Sequence, residues 1–344
     1  MKNTILITGA TGQVGSYLTQ SLHEKGYQDV VLAIRVPNKI TNTSYRTVVM
    51  DYDKPETIEN ALQGIDSVFM ITGYTIDMLV QSKIFIDTAK KSGVKYIVHL
   101  GACGDDNAQV AHWAWHQLIE RYIEWSGMQY THLRPESYMQ NLLGYQGDNN
   151  LQKGILRSYF GHAVLSWVDC ADVAELAAHC LLAPEKHTGH IYRLGYENKN
   201  YTQIAELITE QLGITFQYQA ENPDEFWQHA LNNNLELAYM KSIYDHYVDF
   251  TNGKLDRTGI VFDNFQTITG KPPTSLKQFI LKHQRYFIWA SPSSLCNSGL
   301  TFISEHFTYN DALPPANRDS KNHKNFFCKW PMVFATTKRG FWLK

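Results

Sequence analysis

The chain has 344 residues, 44% of them hydrophobic and 19% charged, with a formal net charge of -2. That composition supplies a sizeable core and excludes a disordered polypeptide, and near-neutrality without a strongly basic stretch argues against nucleic acid as the main partner. The five cysteines (Cys103, Cys170, Cys180, Cys296 and Cys328) are scattered with no CxxC, as expected of reduced thiols in a cytoplasmic protein. No apolar run reaches the roughly 18 residues that a membrane span needs, and the apolar run at the N-terminus is too short for a signal peptide.

Taken in chain order, short β-branched runs alternate with helical patterns. Residues 4–8 (TILIT) read as a buried strand and 13–26 (QVGSYLTQSLHEKG) as a helix. Strands follow at 29–35 and 45–51, then a helix over 54–64 with Pro55 at its start. A strand at 66–72, a helix around 76–92 and a strand at 95–101 continue the alternation. The stretch HWAWHQLIERYIE (112–124) then opens a helix, and 129–134 is the next strand. Near-continuous apolar strands alternating with helices imply an α/β fold, a doubly wound parallel sheet covered on both faces. After Pro135 the pattern loosens. Residues 165–182 predict a strand end leading into a helix that Asp172 caps, 190–195 a late strand, and 201–213 an amphipathic helix beginning at a Thr or Tyr. Residues 223–285 look mostly helical. The expected division is a Rossmann-type nucleotide-binding domain over 1–150 and a smaller, mostly helical substrate lobe over 151–289 with strand returns to the main sheet. The segment 290–344 lacks a sustained period and reads as a poorly ordered extension.

TGATGQVG places Gly9, Gly12 and Gly15 in a GxxGxxG spacing after a strand and before a helix. In that context Gly9 permits the tight turn, Gly12 admits a pyrophosphate to the backbone at the helix N-terminus, and Gly15 lets helix and strand pack closely. Thr11, Gln13 and Val14 complete the loop, and Thr72 and Gly73 end the fourth strand beside it. NAD sites usually place Asp or Glu at the end of the second strand; here it ends LAIRV, with Arg35 and no acid. A guanidinium can pair a 2′-phosphate bidentately, and Lys39 lies close in sequence, so NADP(H) is expected rather than NAD(H). Asp51 either meets the adenine edge or caps the following helix.

Four stretches carry a family resemblance: TGATGQVGSYL (8–18), WHQLIERYIEWSGMQYTHLRPESYMQNLL (115–143), WVDCADVAELAA (167–178) and ITGKPPTSLKQF (268–279). Over residues 1 to about 285 the chain resembles the NmrA-like branch of the atypical short-chain dehydrogenase/reductases. The resemblance implies a Rossmann fold, a small C-terminal lobe and NADP(H) preference. It implies either a reductase of quinones or small carbonyls, or a catalytically silent redox sensor that binds cofactor and a protein partner. The superfamily's proton-donating tyrosine and ribose-holding lysine, in a Tyr-x-x-x-Lys pair, fall on His112 and His116. The tyrosine is therefore missing. His116 can donate to the nicotinamide ribose, and His112, with an ordinary pKa near neutrality, can act as acid or orient the substrate. An HxxxH pair also suits zinc, yet no third ligand stands at a persuasive spacing, so no metal is expected. Tyr138 and Met139 are candidates to line a flat apolar substrate site, with Asn141 fixing loop or substrate and Trp113 and Trp115 as candidate walls.

Overall fold

The computed structural model describes residues 3–37, 40, 43–143, 151, 154–255 and 259–288. Lys39 and the segment 290–344 lie outside the described residues.

The nucleotide half runs β1 (Ile5–Ile7), α1 (Gln13–Glu24), β2 (Val30–Ile34), β3 (Arg46–Val49), α2 (Pro55–Ala61), β4 (Ser67–Ile71), α3 (Met78–Lys91), β5 (Tyr96–Leu100), α4 (Ala111–Trp125) and β6 (Gln129–Pro135). Beyond it come β7 (Ser137–Tyr138), a 3-10 turn (Met139–Leu143), β8 (Ile155–Ser158), β9 (Leu165–Val168), α5 (Cys170–Leu182), α6 (Pro184–His187), β10 (His190–Leu194) and β11 (Glu197–Lys199). The chain continues through α7 (Tyr201–Leu212), β12 (Gln217–Ala220), α8 (Pro223–Asn232), α9 (Leu237–Thr251), α10 (Asn264–Thr269), α11 (Leu276–Lys282) and α12 (Gln284–Phe287).

Seven strands form one sheet in the order β10-β6-β5-β4-β1-β2-β3, every pair parallel. Each central strand is apolar on both faces because both are covered. Ile5, Ile7, Leu32, Phe69 and Val98 meet α1 and α5 through Leu18, Leu22, Val173 and Ala177. The alternate residues Leu6, Val31, Val68, Met70 and Ile97 meet α2, α3 and α4 through Ile58, Phe85, Ile86 and Ile119. A third cluster around Trp167, Ile204, Leu276 and Phe279 is the core of the lobe, which carries two small sheets, β11-β9-β7 and β12-β8. The late strand β10 pairs with β6 in the main sheet, from His190 opposite Thr131 to Leu194 opposite Pro135.

One helix start differs from the sequence expectation. The α5 cap is Asp169, whose side chain accepts from the Ala171 N–H. Asp172 sits in the first turn and instead accepts from the backbone N–H and the hydroxyl of Thr274, tying α5 to the segment before α11. Two Asp residues three positions apart are equal as N-cap types; the backbone at Asp169, extended at ψ 137°, decides between them. The helix α7 begins at Tyr201, as expected, and Asn200 caps it in a reciprocal capping box with Gln203.

Candidate functional site

Starting at β1, the chain builds outward through β2 and β3 in one direction and through β4, β5, β6 and β10 in the other. The order reverses between β1 and β4, where a crevice opens beyond the strands' carboxyl ends. Thr8 fixes that edge: its hydroxyl accepts from the Ile71 N–H at 2.7 Å and donates to the Phe69 carbonyl at 3.1 Å. Tyr52 closes the end of β4 by donating to the Ile71 carbonyl at 2.9 Å.

Into this crevice runs the glycine turn. Gly9 has φ +61°, a left-handed conformation, and its carbonyl accepts from the Gly12 N–H at 2.9 Å. A Cβ on Gly15 would collide with the Gly9 carbonyl and come 2.9 Å from Ala10 Cα, both backbone and unable to move aside. Thr11, Gly12 and Gln13 are exposed, whereas Val14 and Gly15 are buried against the sheet. The first turn of α1 holds no acidic residue, and its N-cap is Gly12, with no side chain to satisfy the free N–H groups. An unscreened helix N-terminus beside a bare backbone turn fits a pyrophosphate. Thr72 and Gly73 lie half-buried past β4 on the facing side. Arg35, just past β2, is exposed and has no ion-pair or hydrogen-bond partner among the described residues. Asp51 is half-buried, and its carboxylate accepts from the Asp53 N–H at 3.2 Å within the turn leading to α2.

The far end of the crevice brings together Tyr138, singled out in the sequence, and Tyr74, Cys103 and Cys170, which were given no role there. Tyr138 is half-buried and its phenol is pushed well above the usual range, first by burial and then by Cys170, Tyr74 and Cys103. Tyr74, three residues past β4, is 57% exposed, yet surrounding protein and Cys170 push its phenol up as well. Its ring meets that of Tyr239 edge-on, 5.9 Å between centroids. Cys170 Sγ donates to Gln13 Oε1 at 3.6 Å, linking the start of α5 to the glycine turn. Gln140 secures the same junction: its amide donates to Asp169 Oδ1 at 2.6 Å and accepts from the Cys170 N–H at 3.1 Å. These contacts join residues up to 157 apart, so no local pattern announces them. What the sequence did offer was position, since Tyr74, Cys103 and Tyr138 each follow closely on the end of a strand.

Met139 does not line this end of the crevice. It is completely buried in the lobe's apolar cluster, because the 3-10 turn that starts there rotates it inward. Asn141, in the same turn, is half-buried.

The helix α4 begins beside the crevice, and its two histidines part company. His112 turns to the lobe: its backbone N–H donates to Ser242 Oγ at 2.8 Å and its Nδ1 lies 2.7 Å from the same oxygen. Its ring lies 5.2 Å from that of His246 and 5.8 Å from that of Tyr239, measured between centroids. Burial, with His246 and His116 nearby, holds it well below the usual imidazole range. The expectation of titration near neutrality is thereby overturned; desolvation outweighs the intrinsic pKa. His116 turns to the sheet, its ring 5.5 Å from that of His99, and burial lowers it to about 4. Its Nδ1 is sealed without a partner. Trp113 is buried against His246, and Trp115 is half-buried against Tyr239. No helix among the described residues is long and apolar enough to cross a membrane.

Quinone oxidoreductase 2 of Escherichia coli is 27% identical over 285 residues, covering 80% of this chain and 97% of that one. The crystal structure of the NADPH-dependent quinone oxidoreductase from E. coli complexed with NADPH superposes with a TM-score of 0.69 at 26% identity, covering 81% of this chain and 99% of that chain. An NAD(P)H azoreductase from Xenophilus azovorans is 26% identical over 293 residues, covering 82% of this chain and 99% of that one. NmrA, a negative transcriptional regulator solved with NAD, shares the fold at a TM-score of 0.66 and 14% identity, over 81% of this chain and 94% of that one. The model of the NmrA-like family matches residues 1–269, and the chain belongs to that family, an NAD(P)H-binding branch of the short-chain dehydrogenase/reductase fold.

Proposed function

We propose that the protein is an NADPH-dependent oxidoreductase that reduces a quinone or a small activated carbonyl. The observation that carries the reading is the bare glycine turn at the carboxyl ends of the strands, with Tyr74 exposed and Tyr138 half-buried beside it past β4 and β6. Relatives are named as a quinone oxidoreductase and an azoreductase, and the neighbouring phenols of Tyr74 and Tyr138 offer apolar ring surface suited to a flat substrate.

A reduced nicotinamide, when bound, supplies the hydride. The chain's residues bind and orient. The N-terminus of α1 takes the pyrophosphate, and Arg35 takes a 2′-phosphate. His116, neutral at pH 7, can hydrogen-bond a ribose hydroxyl but adds no charge. His112 is neutral and already engaged by Ser242, so it holds α4 against the lobe and is not a ready acid. With no protonated side chain at the superfamily's tyrosine position, the proton that completes reduction comes from water. That favours quinones, whose reduced oxygens are stable anions, over unactivated ketones.

The rival is an NADP(H)-binding sensor that passes cofactor redox state to a protein partner. It draws on the same missing acid and on the fold shared with a transcriptional regulator. NADPH consumption with a panel of benzo- and naphthoquinones separates the two. Quinone-dependent oxidation supports the enzyme. Tight NADPH binding with no turnover on any electrophile supports the sensor and ends the enzymatic reading.

A further inference from the structure

Beneath α4, on the sheet face away from α1 and α5, lies a cluster that the crevice does not use. His99 on β5, His132 on β6 and Glu120 on α4 are all fully buried. One ligand atom from each lies within 4.8 Å of the other two. Both ring nitrogens of His99 and both of His132 are sealed from solvent with no hydrogen-bond partner, and Nδ1 of the adjacent His116 shares that condition. Native interiors rarely leave polar atoms unsatisfied, and five in three neighbouring rings call for an occupant.

We infer that His99, His132 and Glu120 form an intramolecular binding site for a divalent transition metal of the zinc class. Two imidazoles and a carboxylate are a donor set that Zn2+ takes, with a fourth position left to water or to a further donor such as His116. An ion at the centre of a triangle whose sides are at most 4.8 Å lies no more than about 2.8 Å from each corner. Zinc bonds are roughly 2.0–2.2 Å, so each side chain closes by well under ~1 Å.

Two cations, Arg134 and Arg121, face the cluster, and Asp106, 3.2 Å from Arg121, opposes them. Arg134 Nε reaches Glu120 Oε1 at 3.0 Å and Oε2 at 3.2 Å, and Arg134 Nη2 reaches both Glu120 Oε2 at 2.5 Å and Asp106 Oδ1 at 2.6 Å, so the guanidinium is shared with a carboxylate outside the triad. Burial pushes the Glu120 carboxyl up and Arg134 opposes that shift, and Glu120 Oε1, which accepts from Arg134 Nε alone, retains a lone pair for the ion. Glu124 Oε1 lies 3.5 Å from His132 Nε2 and adds a second negative charge, of the kind that orients metal-bound histidines. Such a site would staple α4 to β5 and β6 and is independent of which substrate the crevice takes.

The full-length chain, stripped with chelator, would be titrated with Co2+ and then Zn2+. One equivalent of Co2+ should give an intense visible band of four-coordinate type, Zn2+ should displace it, and the melting temperature should rise by several degrees. His99→Phe and His132→Phe keep ring volume and remove the orphan nitrogens. Each should lose both the band and the stabilisation while keeping wild-type circular dichroism, whereas His162→Ala, on the surface, should retain them. Proton NMR of the wild-type cobalt form should show two strongly shifted imidazole N–H signals, a readout that needs no variant. A chain that takes up no Co2+ overturns the proposal and leaves the sealed nitrogens to buried water. A band that survives in both Phe variants, or a cobalt form without shifted imidazole signals, also overturns it by placing the metal elsewhere.

Discussion

The two ends of α4's surroundings are built by different rules. The glycine turn is made of consecutive residues, and its geometry follows from the absence of side chains at Gly9, Gly12 and Gly15. The polar interior beneath α4 is made of side chains from β5, β6 and α4, brought together only by the sheet order β6-β5-β4. The first is a backbone device, tolerant of its surroundings and sensitive to a single methyl. The second is a side-chain device whose stability depends on protonation and on matched charge. Perturbations chosen for one region should therefore leave the other largely intact.

Acid should produce the largest difference. His99, His112, His116, His132 and His246 are all buried and all shifted down, His116 to about 4 and both His132 and His246 to about 3. A lowered folded pKa means that the unfolded chain takes up the proton first. The contribution of each ring is whole above about pH 6.5 and is lost as pH falls toward its folded value. For His116 alone that is about 3 kcal/mol by pH 4. Asp172, held up near 6 by burial, works the other way in the same window and recovers about as much as one histidine loses. Glu120 and Glu136, also raised by burial, act with Asp172, but His179, His187 and His283 are lowered too; with eight histidines against three carboxyls, chelator-treated protein should lose several kcal/mol between pH 6.5 and 4.5, followed by urea midpoints. Glu175, lowered to about 2, adds its loss only at lower pH. A midpoint unchanged from pH 7 to 5 would mean that the histidines are hydrated and the interior is not the dry one described.

Arg134→Met tests matched charge in the same interior. Arg134 is 3% exposed and Glu120 0%, so the change strands a buried carboxylate. About 3–5 kcal/mol should be lost, and adding Glu120→Leu should restore much of it. Thermal melts of the single and double variants check this; a double variant no better than the single would show that packing, not charge, is at stake. NADPH affinity per folded molecule should stay near wild type in both.

How much of this the sequence disclosed follows the same division. The strand-helix alternation, the parallel sheet and the nucleotide turn were legible because each is encoded within a dozen contiguous residues. The HxxxH spacing was legible too, but not its meaning. Adjacent turns of a helix suggested two rings working together, whereas Ser242 draws His112 toward α9 and His99 draws His116 toward β5. Met139 read as pocket lining because an apolar residue beside Tyr138 looks the same whether it faces a cleft or a core. Cys170 reached Gln13 across 157 positions, and no periodicity predicts that.

Gly15→Ala turns to the other region. The added methyl meets backbone on two sides, so α1 must shift away from the turn. Overpacking of this kind costs about 1–3 kcal/mol, and the displaced helix N-terminus should bind NADPH at least tenfold more weakly. Gly26→Ala is the control. Its φ of +73° makes it strained by about 1 kcal/mol, yet nothing lies within 4 Å of the new Cβ, and cofactor affinity should hold. Equal cofactor affinity in the two variants, by fluorescence titration, would remove the turn from the binding site.

Arg35 offers the smallest and most specific effect. It lies past β2 with no acid beside it to take ribose hydroxyls and no partner to occupy it. A 2′-phosphate is the one feature that separates NADPH from NADH, and a charge-assisted pair is worth roughly 1.5–3 kcal/mol. Wild type should therefore prefer NADPH by about ten- to a hundredfold. Arg35→Ala should lose most of that preference through weaker NADPH binding alone, leaving NADH affinity and melting temperature unchanged, since an exposed unpaired side chain holds nothing together. Raising salt should narrow the wild-type preference, because an exposed ion pair is screened. Equal affinity for the two cofactors in wild type would sink the assignment of Arg35 while leaving the glycine turn, which contacts only what the cofactors share, untouched.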